Sequence, residues 1–284
     1  MTPADLSALI RATTTDVLTG RGIGTDSLSP EIDWAGSLAR PRMPNAASRE
    51  PAADYATSVA LRAATGLRLA PRRLAGWLAD ALAEHPSIDT AAVAGPGFVN
   101  LRLADDARSA LVGEVLAAGD GYGVLGRAPE PAPADDPLDD VRYAHARLCA
   151  LARHAEALEV PMGERYELLT EAAERELVAV LAEFPRAVDL IWGHTAHTAH
   201  TGDGGDRGGG DRPDPASPDP PRLARFLRRV TDGVHTFDAS CRVLPMGDEP
   251  TSEIHSARRA LCAAARQVLA NGLRLLCVPA PERM

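Results

Sequence analysis

Residues 93–103 read VAGPGFVNLRL, and this stretch decides the fold of the first half of the chain. Apolar residues alternate with other residues on both sides of Gly95-Pro96-Gly97, a tripeptide typical of a tight turn. Two strands, over residues 88–93 and 98–103, are therefore predicted to form a hairpin.

Helices are predicted on both sides of this hairpin. Apolar residues recur at helical spacing over residues 4–19, 53–65 and 71–84, and the last of these helices begins at Pro71, a residue favoured in the first helical position. A further helix is predicted over 104–118, and a short strand is expected around Ile32 and Trp34. The sequence thus predicts an α+β domain over residues 1–118, with helices packed on a small sheet.

The second half of the chain has a different pattern. A segment rich in Gly, Pro, Ala and Asp predicts a linker over residues 119–137, and amphipathic segments beyond it predict an all-α helix bundle over 138–284. The predicted helices span residues 138–158, 165–183, 184–192, 221–244 and 253–276. They are interrupted at 194–220 by a low-complexity segment that begins HTAHTAHTGDGG, and this composition predicts a loop.

The charge of the chain is uneven and comes from one kind of basic residue. All 30 basic residues are arginine, so mechanisms that need a lysine are excluded, including Schiff-base chemistry and a Walker-type phosphate site. The net charge of −9 disfavours nucleic acid as a partner, yet residues 221–284 hold 10 Arg against 6 acidic residues while 128–220 hold 8 against 19. A local basic surface in the last segment is therefore expected.

Neither a membrane span nor a signal peptide is predicted. No apolar stretch approaches the roughly 18 residues that a bilayer span requires, and the N-terminal segment has no basic region ahead of an apolar core. The four cysteines include no Cys-x-x-Cys pair and are interpreted as reduced thiols, which favours a cytoplasmic location. These cysteines are Cys149, Cys241, Cys262 and Cys277.

Two blocks of sequence resemble opposite ends of one enzyme family. ADYATSVAL at 53–61, PRRLAGWLADAL at 71–82 and VAGPGFVNLRL at 93–103 are similar to the N-terminal additional domain of arginyl-tRNA synthetases. VRYAHARLCALAR at 141–153 resembles the start of their DALR anticodon-binding domain. That resemblance resumes through FPRAV, PPRLARFLRRVTDGVHTFDASCRVL and ALCAAARQVLANGLRLLCVPAPERM, and it ends at Met284 as the family does.

The chain also departs from this family. Ala53 replaces the glycine usual before the Asp-Tyr pair, and the insert at 194–220 lies where the family usually has a compact loop that approaches the anticodon. The His-x-Gly-His motif and the lysine-bearing loop of class I synthetases do not occur in the sequence. The predicted linker is also far shorter than the roughly 100 residues of a nucleotide-binding domain.

The resemblance implies a non-catalytic protein whose partner is tRNA, most naturally an arginine-accepting tRNA, with no cofactor and no catalytic residue. By this resemblance Phe98 and Asn100 would lie near a D-loop base, an aromatic and an amide being suited to an unpaired base. Arg222, Arg225 and Arg229 share one helical face, where they would contact phosphates. The full set of candidate RNA contacts is Phe98, Asn100, Arg102, Arg222, Arg225, Arg228, Arg229, Arg258, Arg259, Arg266 and Met284.

Simpler interpretations stand beside these. Phe98 also suits core packing, and the arginine face also suits pairing with the acidic middle segment. His145 and Cys149, at i and i+4, are the best candidates for a nucleophile pair, but a packed histidine beside a small apolar thiol is the preferred interpretation, because the family resemblance already accounts for this helix. His194, His197 and His200 have a spacing compatible with metal binding, but a repeat expansion explains them without a ligand set.

Two other functions stay open at this point. The chain is also compatible with an accessory subunit that complements a separate synthetase or tRNA-dependent enzyme. It is equally compatible with a pseudoenzyme scaffold that contacts protein alone.

Overall fold

The fold is mixed in the first part of the chain and helical in the second, as the sequence predicts. A computed structural model describes residues 1–24, 32, 34, 36–40, 53–123, 131–134, 136–192 and 219–284. The chain forms two compact units, Met1–Arg108 and Ser109–Met284.

The first unit packs helices on one face of a small antiparallel sheet. Its helices are α1 (Pro3–Thr19), α2 (Val59–Leu67), α3 (Pro71–Ala83) and α4 (Asp105–Ser109), and its strands are β1 (Leu38–Ala39), β2 (Tyr55–Thr57), β3 (Ile88–Ala94) and β4 (Phe98–Leu103). The strand order is β1-β2-β4-β3, and every neighbouring pair is antiparallel. The predicted hairpin is the β3–β4 pair, in which Phe98 lies opposite Ala94.

Alternation along β4 separates its two faces. Val99, Leu101 and Leu103 are buried in the core, where they pack with α3 residues such as Leu74 and Leu78. Since successive strand residues point to opposite faces, the remaining residues of β4 lie on the outer face of the sheet.

The prediction of one helix over 53–65 was wrong at its start, because residues Tyr55–Thr57 form β2. Asp54 fixes this strand beside β4: its backbone N–H donates to the Leu101 carbonyl, and its carboxylate accepts the Leu103 N–H at 2.8 Å. The Thr57 hydroxyl then accepts the Val59 N–H, where α2 begins. Long-range pairing to β4 therefore overrides the helical pattern of this segment.

The strand expected around Ile32 and Trp34 was also misplaced. Among the described residues of this connection, the strand is β1. Trp34 lies in a turn, and its carbonyl oxygen accepts a hydrogen bond from the Ser37 hydroxyl at 2.7 Å. Ile32 is buried and contributes to the core. An apolar residue that supports a core need not belong to a strand, and alternation alone did not distinguish the two cases.

The helix predicted over 104–118 is two helices, and the compact units divide between them. Arg108, in α4, binds Asp54 and the Leu103 carbonyl of the first unit. Helix α5 (Leu111–Ala118) instead places Leu111 and Val115 in the core of the second unit. The boundary between the units along the chain lies between residues 108 and 109, at the end of α4, whereas the sequence predicted the end of the first domain at residue 118 and a linker over 119–137.

The second unit is built from helices α5, α6 (Asp139–Ala157), α7 (Ala172–Ala182), α8 (Phe184–Trp192), α9 (Pro220–Ser240) and α10 (Glu253–Leu275). Helix α10 has the longest buried face and packs against α5, α6, α7 and α9. Of the predicted helix over 165–183, residues Tyr166–Leu168 form a short 3-10 turn and α7 begins only at Ala172. Residues 194–218 of the predicted loop at 194–220 lie outside the described residues. Asp219, which follows them, caps α9 because its carboxylate accepts the Arg222 N–H.

Candidate nucleic-acid interface

The outer face of the first unit's sheet carries the three candidate contacts of β4. Phe98 is 38% exposed, and Asn100 and Arg102 are half-buried on the same face. Core packing therefore does not account for Phe98. Arg102 forms an ion pair with Asp89 at 3.2 Å, so part of its charge is already compensated.

Small side chains surround Asn100 on this face. The register places Ala56 of β2 and Ala92 of β3 directly opposite Asn100, and Ala39 of β1 lies opposite Ala56. This row across the sheet therefore contains three alanines and one amide. It leaves room for a flat group to approach the amide, and Phe98 lies two residues away on the same strand.

The β3–β4 turn beside Phe98 is held close to helix α3. A Cβ at Gly97 would lie 2.9 Å from Pro71 Cβ and 3.0 Å from Leu61 Cδ2, so a larger residue would displace the turn. Gly97 is thus required for the approach of the turn to α2 and α3, which fixes the position at which β4 begins.

The second unit has a basic cleft between helices α8 and α9. Its volume is about 360 Å³, and Phe226, Ile191 and Ala187 provide apolar walls. Four arginines line it: Arg186 on α8 and Arg222, Arg225 and Arg229 on α9. We refer to these four residues as the cleft arginines.

Among the described residues, few acidic groups lie near the cleft arginines. Glu183 is the acidic residue of the described lining and lies 3.7 Å from Arg186. Within the part of the chain that the structure describes, Arg222, Arg225 and Arg229 are exposed and form no ion pair with a carboxylate. Arg229 lies over the Phe226 ring, 6.0 Å from its centroid. Guanidinium groups so arranged on apolar walls create a local positive potential in a chain of net charge −9.

Arg228 does not belong to this surface, although it is adjacent in sequence. Its guanidinium donates to Asp136 and to Asp140, the second at 3.1 Å. The simpler interpretation of the arginine face was pairing with the acidic segment 128–220. Within the described residues it holds for Arg228 but not for Arg222, Arg225 and Arg229.

Two candidate arginines of α10 also bind partners inside the unit. Arg258 donates to the fully buried Glu174 at 2.7 Å and to the Arg242 carbonyl at 2.9 Å. Arg259 donates to the Val160 carbonyl and lies 3.5 Å from Glu156. These contacts give both arginines a structural role that helical spacing did not reveal.

The last two candidates are placed differently. Arg266 lines a mainly apolar cavity of about 190 Å³ together with Arg259, Leu148 and Cys262. Met284 is 65% exposed at the end of a segment that Arg153 contacts through the Glu282 carbonyl. The structure therefore does not bring these residues together with the cleft arginines.

Comparison with protein families agrees with the two units. The model for the DALR anticodon binding domain matches residues 141–284, which is about half of the chain. The chain belongs to the DALR anticodon-binding family. A second model, for the arginyl tRNA synthetase N terminal domain, matches residues 39–103. The DALR protein described here is thus related to arginyl-tRNA synthetases, and its domains are those of a tRNA-binding protein.

The two matched stretches are separated by residues 104–140 alone. The described residues of this interval form α4 and α5, the 3-10 turn at Gly119–Gly121 and the start of α6. These elements belong to the two compact units, and Leu111, Val115 and Tyr122 lie in the core of the second unit.

Arg186 is the cleft residue that sequence reasoning missed. It lies in FPRAV, a segment recognised as similar to the DALR family, but it stands alone among acidic and apolar neighbours and has no helical basic stripe around it. Its place in the cleft depends on the packing of α8 against α9, seen in the Phe184–Phe226 ring contact at 5.9 Å. Spacing within one helix does not reveal such a contact.

The geometry argues against a nucleophile pair at His145 and Cys149. His145 Nδ1 lies 2.9 Å from the Pro281 carbonyl oxygen, which only accepts hydrogen bonds, so Nδ1 carries the proton. The Cys149 sulfur lies 3.8 Å from this same nitrogen, which therefore has no lone pair for the thiol proton. Elsewhere, burial raises the pKa of the Cys262 thiol to about 12, which disfavours its thiolate.

All four cysteines are free thiols. Among the residues that the structure describes, no group of three or more His, Cys, Asp and Glu side chains is arranged to hold a metal ion. His194, His197 and His200, which the sequence analysis explained by a repeat expansion, lie outside those residues. No described helix is long and apolar enough to cross a membrane.

Proposed function

We propose that this DALR protein binds an arginine-accepting tRNA without catalysing aminoacylation. The observation that carries the proposal is the exposed basic cleft of the DALR domain, in a chain whose net charge is −9. RNA is held mainly through its phosphates, which require such a local positive potential.

The cleft suits a ribose-phosphate segment better than a planar base alone. Arg222, Arg225 and Arg229 follow one face of α9 at i, i+3 and i+7, so their guanidinium groups lie along a line. Arg186 faces them from α8, and the cleft volume of about 360 Å³ falls in the range of ligand-binding sites. Each guanidinium can donate two parallel hydrogen bonds to phosphate oxygens.

The sheet of the first unit supplies the second contact. Phe98 offers an exposed ring for stacking, and Asn100 offers an amide that can donate to and accept from the edge of a base. Ala56 and Ala92, which lie opposite Asn100, have short side chains, and this favours the approach of a base to the amide. We assign this face to an unpaired base of the tRNA.

Charge reversal in the cleft tests the phosphate contact. The triple substitution of Arg222, Arg225 and Arg229 by Glu is expected to weaken tRNA binding and to flatten its salt dependence, by about 0.9 in the log-log slope for each phosphate that the protein no longer neutralises. Filter binding over a salt series measures both quantities. The control is Arg11→Glu at an exposed arginine of α1, which reverses one charge where the triple variant reverses three and should leave binding nearly intact. Equal affinity of the triple variant and the control would contradict the proposal.

The absence of catalysis is proposed from two observations. The chain contains no lysine for an adenylation loop, and the described residues of the interval 104–140 between the matched domains belong to the two compact units. The purified chain should give no arginine-dependent ATP–pyrophosphate exchange above a blank without protein. Exchange that titrates with the chain would overturn this part of the proposal.

A further inference from the structure

A basic cluster lies at the start of helix α3, next to the turn that leads into Phe98. It consists of Arg21 and Arg73, whose guanidinium groups lie over the Trp77 ring, and of Arg72, the neighbour of Arg73 in sequence. We refer to these residues as the Trp77 cluster. Arg72 Nη1 donates to the Gly95 carbonyl at 2.6 Å, and a Cβ at Gly95 would lie 3.8 Å from Phe98 Cδ2. Arg72 thus contacts Gly95, the residue that lies beside the exposed ring of Phe98.

Trp77 fixes the other two guanidinium groups. Arg21 lies 4.5 Å and Arg73 lies 5.0 Å from the centroid of its ring. Arg73 and Trp77 are at i and i+4 on α3, and Arg21 follows the end of α1, which packs against α3. Cation–π contacts restrict where a guanidinium lies but use none of its N–H donors. Arg21 uses one donor of Nη1 for the Val17 carbonyl at 3.1 Å, and its other N–H groups can still donate.

The cluster is exposed, and no carboxylate of the described residues neutralises its charge. Arg21, Arg72 and Arg73 are all exposed, and within the described residues none of them forms an ion pair with a carboxylate. Other arginines of the same unit differ, since Arg102 pairs with Asp89 and Arg108 pairs with Asp54. The bond to Gly95 uses one of the five N–H donors of Arg72, so the others remain available.

We propose that the Trp77 cluster binds the RNA phosphates that flank the base held on Phe98, with Arg72 as the nearest contact. This inference rests on the proposed function, because it takes the sheet face to be an RNA contact. It adds a phosphate-binding element to a surface for which the sequence suggested Phe98, Asn100 and Arg102. A base on Phe98 is joined to phosphates on both sides, so a cation beside the ring is well placed to bind one of them.

The experiment is filter binding of an arginine-accepting tRNA transcript by the full chain over a salt series. The variants are R72Q/R73Q, R72K/R73K, F98A and the control R11Q, which neutralises one exposed arginine of α1 where the double variant neutralises two. The double glutamine variant should weaken binding about tenfold or more at low salt and reduce the log-log salt slope by about 1 to 2. The double lysine variant should restore the slope, because it restores the charges, and R11Q should match the wild type.

Different outcomes identify which idea fails. If F98A weakens binding while R72Q/R73Q keeps the wild-type slope, the sheet binds RNA but the Trp77 cluster does not contact phosphate. If R72K/R73K does not recover the slope, loss of charge is not the cause and the inference is overturned. If the wild type binds tRNA no better than unrelated RNA, the proposed function itself fails. Melting curves of each variant distinguish impaired RNA binding from impaired folding.

Discussion

At the scale of single residues, neighbouring arginines in the second unit have different roles because their surroundings differ. Arg258 is largely buried against Glu174, whose side chain is fully inaccessible, whereas Arg228 pairs with two half-exposed aspartates. A buried carboxylate that loses its partner retains a large desolvation penalty, while an exposed ion pair contributes little. The same substitution should therefore have very different effects at the two positions.

Arg258→Met is expected to lower the free energy of unfolding by about 3–5 kcal/mol, and Arg228→Met by less than about 1 kcal/mol. Denaturant unfolding followed by circular dichroism measures both. Similar reductions in the two variants would show that the Arg258–Glu174 pair is not an essential buried contact.

His145 should make stability depend on pH in one direction. Burial lowers the pKa of His145, and the nearby Arg266 charge acts in the same direction against the opposing hydrogen bond to Pro281 and the charge of Glu282. The folded protein therefore favours neutral imidazole, and below the ordinary pKa of about 6.5 the unfolded chain binds the proton more readily. Stability contributed by this group is present above that pH and is lost as the pH falls through it.

His145→Asn tests this, because the asparagine amide can still donate to the Pro281 carbonyl but does not titrate. The melting temperature of the wild type should fall between about pH 7.5 and about pH 5.5 by more than that of the variant. Parallel pH profiles would exclude His145 as the source of the dependence.

At the scale of elements, close backbone contacts fix how loops meet helices. Gly163 donates its N–H to the Ser256 carbonyl at 3.1 Å, and a Cβ at Gly163 would lie 2.6 Å from Ala257 N in the first turn of α10. Backbone atoms cannot yield to such a contact as a flexible side chain can. Gly76 provides a contrast, since it lies inside α3 and a Cβ there would meet nothing within 4 Å.

Gly163→Ala should thus destabilise the second unit by about 1–3 kcal/mol through overpacking. Gly76→Ala should stabilise the first unit by about 0.5–1 kcal/mol, because alanine loses less conformational entropy in a helix. Thermal unfolding of the two variants measures both effects. A stabilising Gly163→Ala would mean that the loop is not held against α10 as described.

Sequence periodicity predicted elements that are governed by local patterns. The hairpin at VAGPGFVNLRL and the long helices α6, α9 and α10 follow from alternation or helical spacing, and the outward position of Phe98 and Asn100 follows from the same alternation. Strand β2 was missed because the pairing that forms it, Tyr55 with Leu101, joins residues far apart in sequence. The sequence did not show which arginines are exposed and which bind partners inside the protein. The reason is the same, since Glu174, the partner of Arg258, lies on another helix.

At the scale of the whole molecule, an acidic protein is proposed to hold an acidic ligand. Residues 221–284 carry an excess of arginine over acidic residues, and the structure gathers three of these arginines with Arg186 at the cleft. Local potential then attracts RNA while the remaining surface repels it, so binding should be confined to defined surfaces and should depend strongly on salt.

The most direct test of tRNA recognition compares two RNAs by filter binding to the full chain at two salt concentrations. One is an arginine-accepting tRNA transcript, and the other is an unrelated structured RNA of equal length and therefore nearly equal charge. We expect a lower Kd for the tRNA at both salt concentrations, with the preference retained as nonspecific binding weakens. Equal Kd values for the two RNAs at both concentrations would contradict the proposed function.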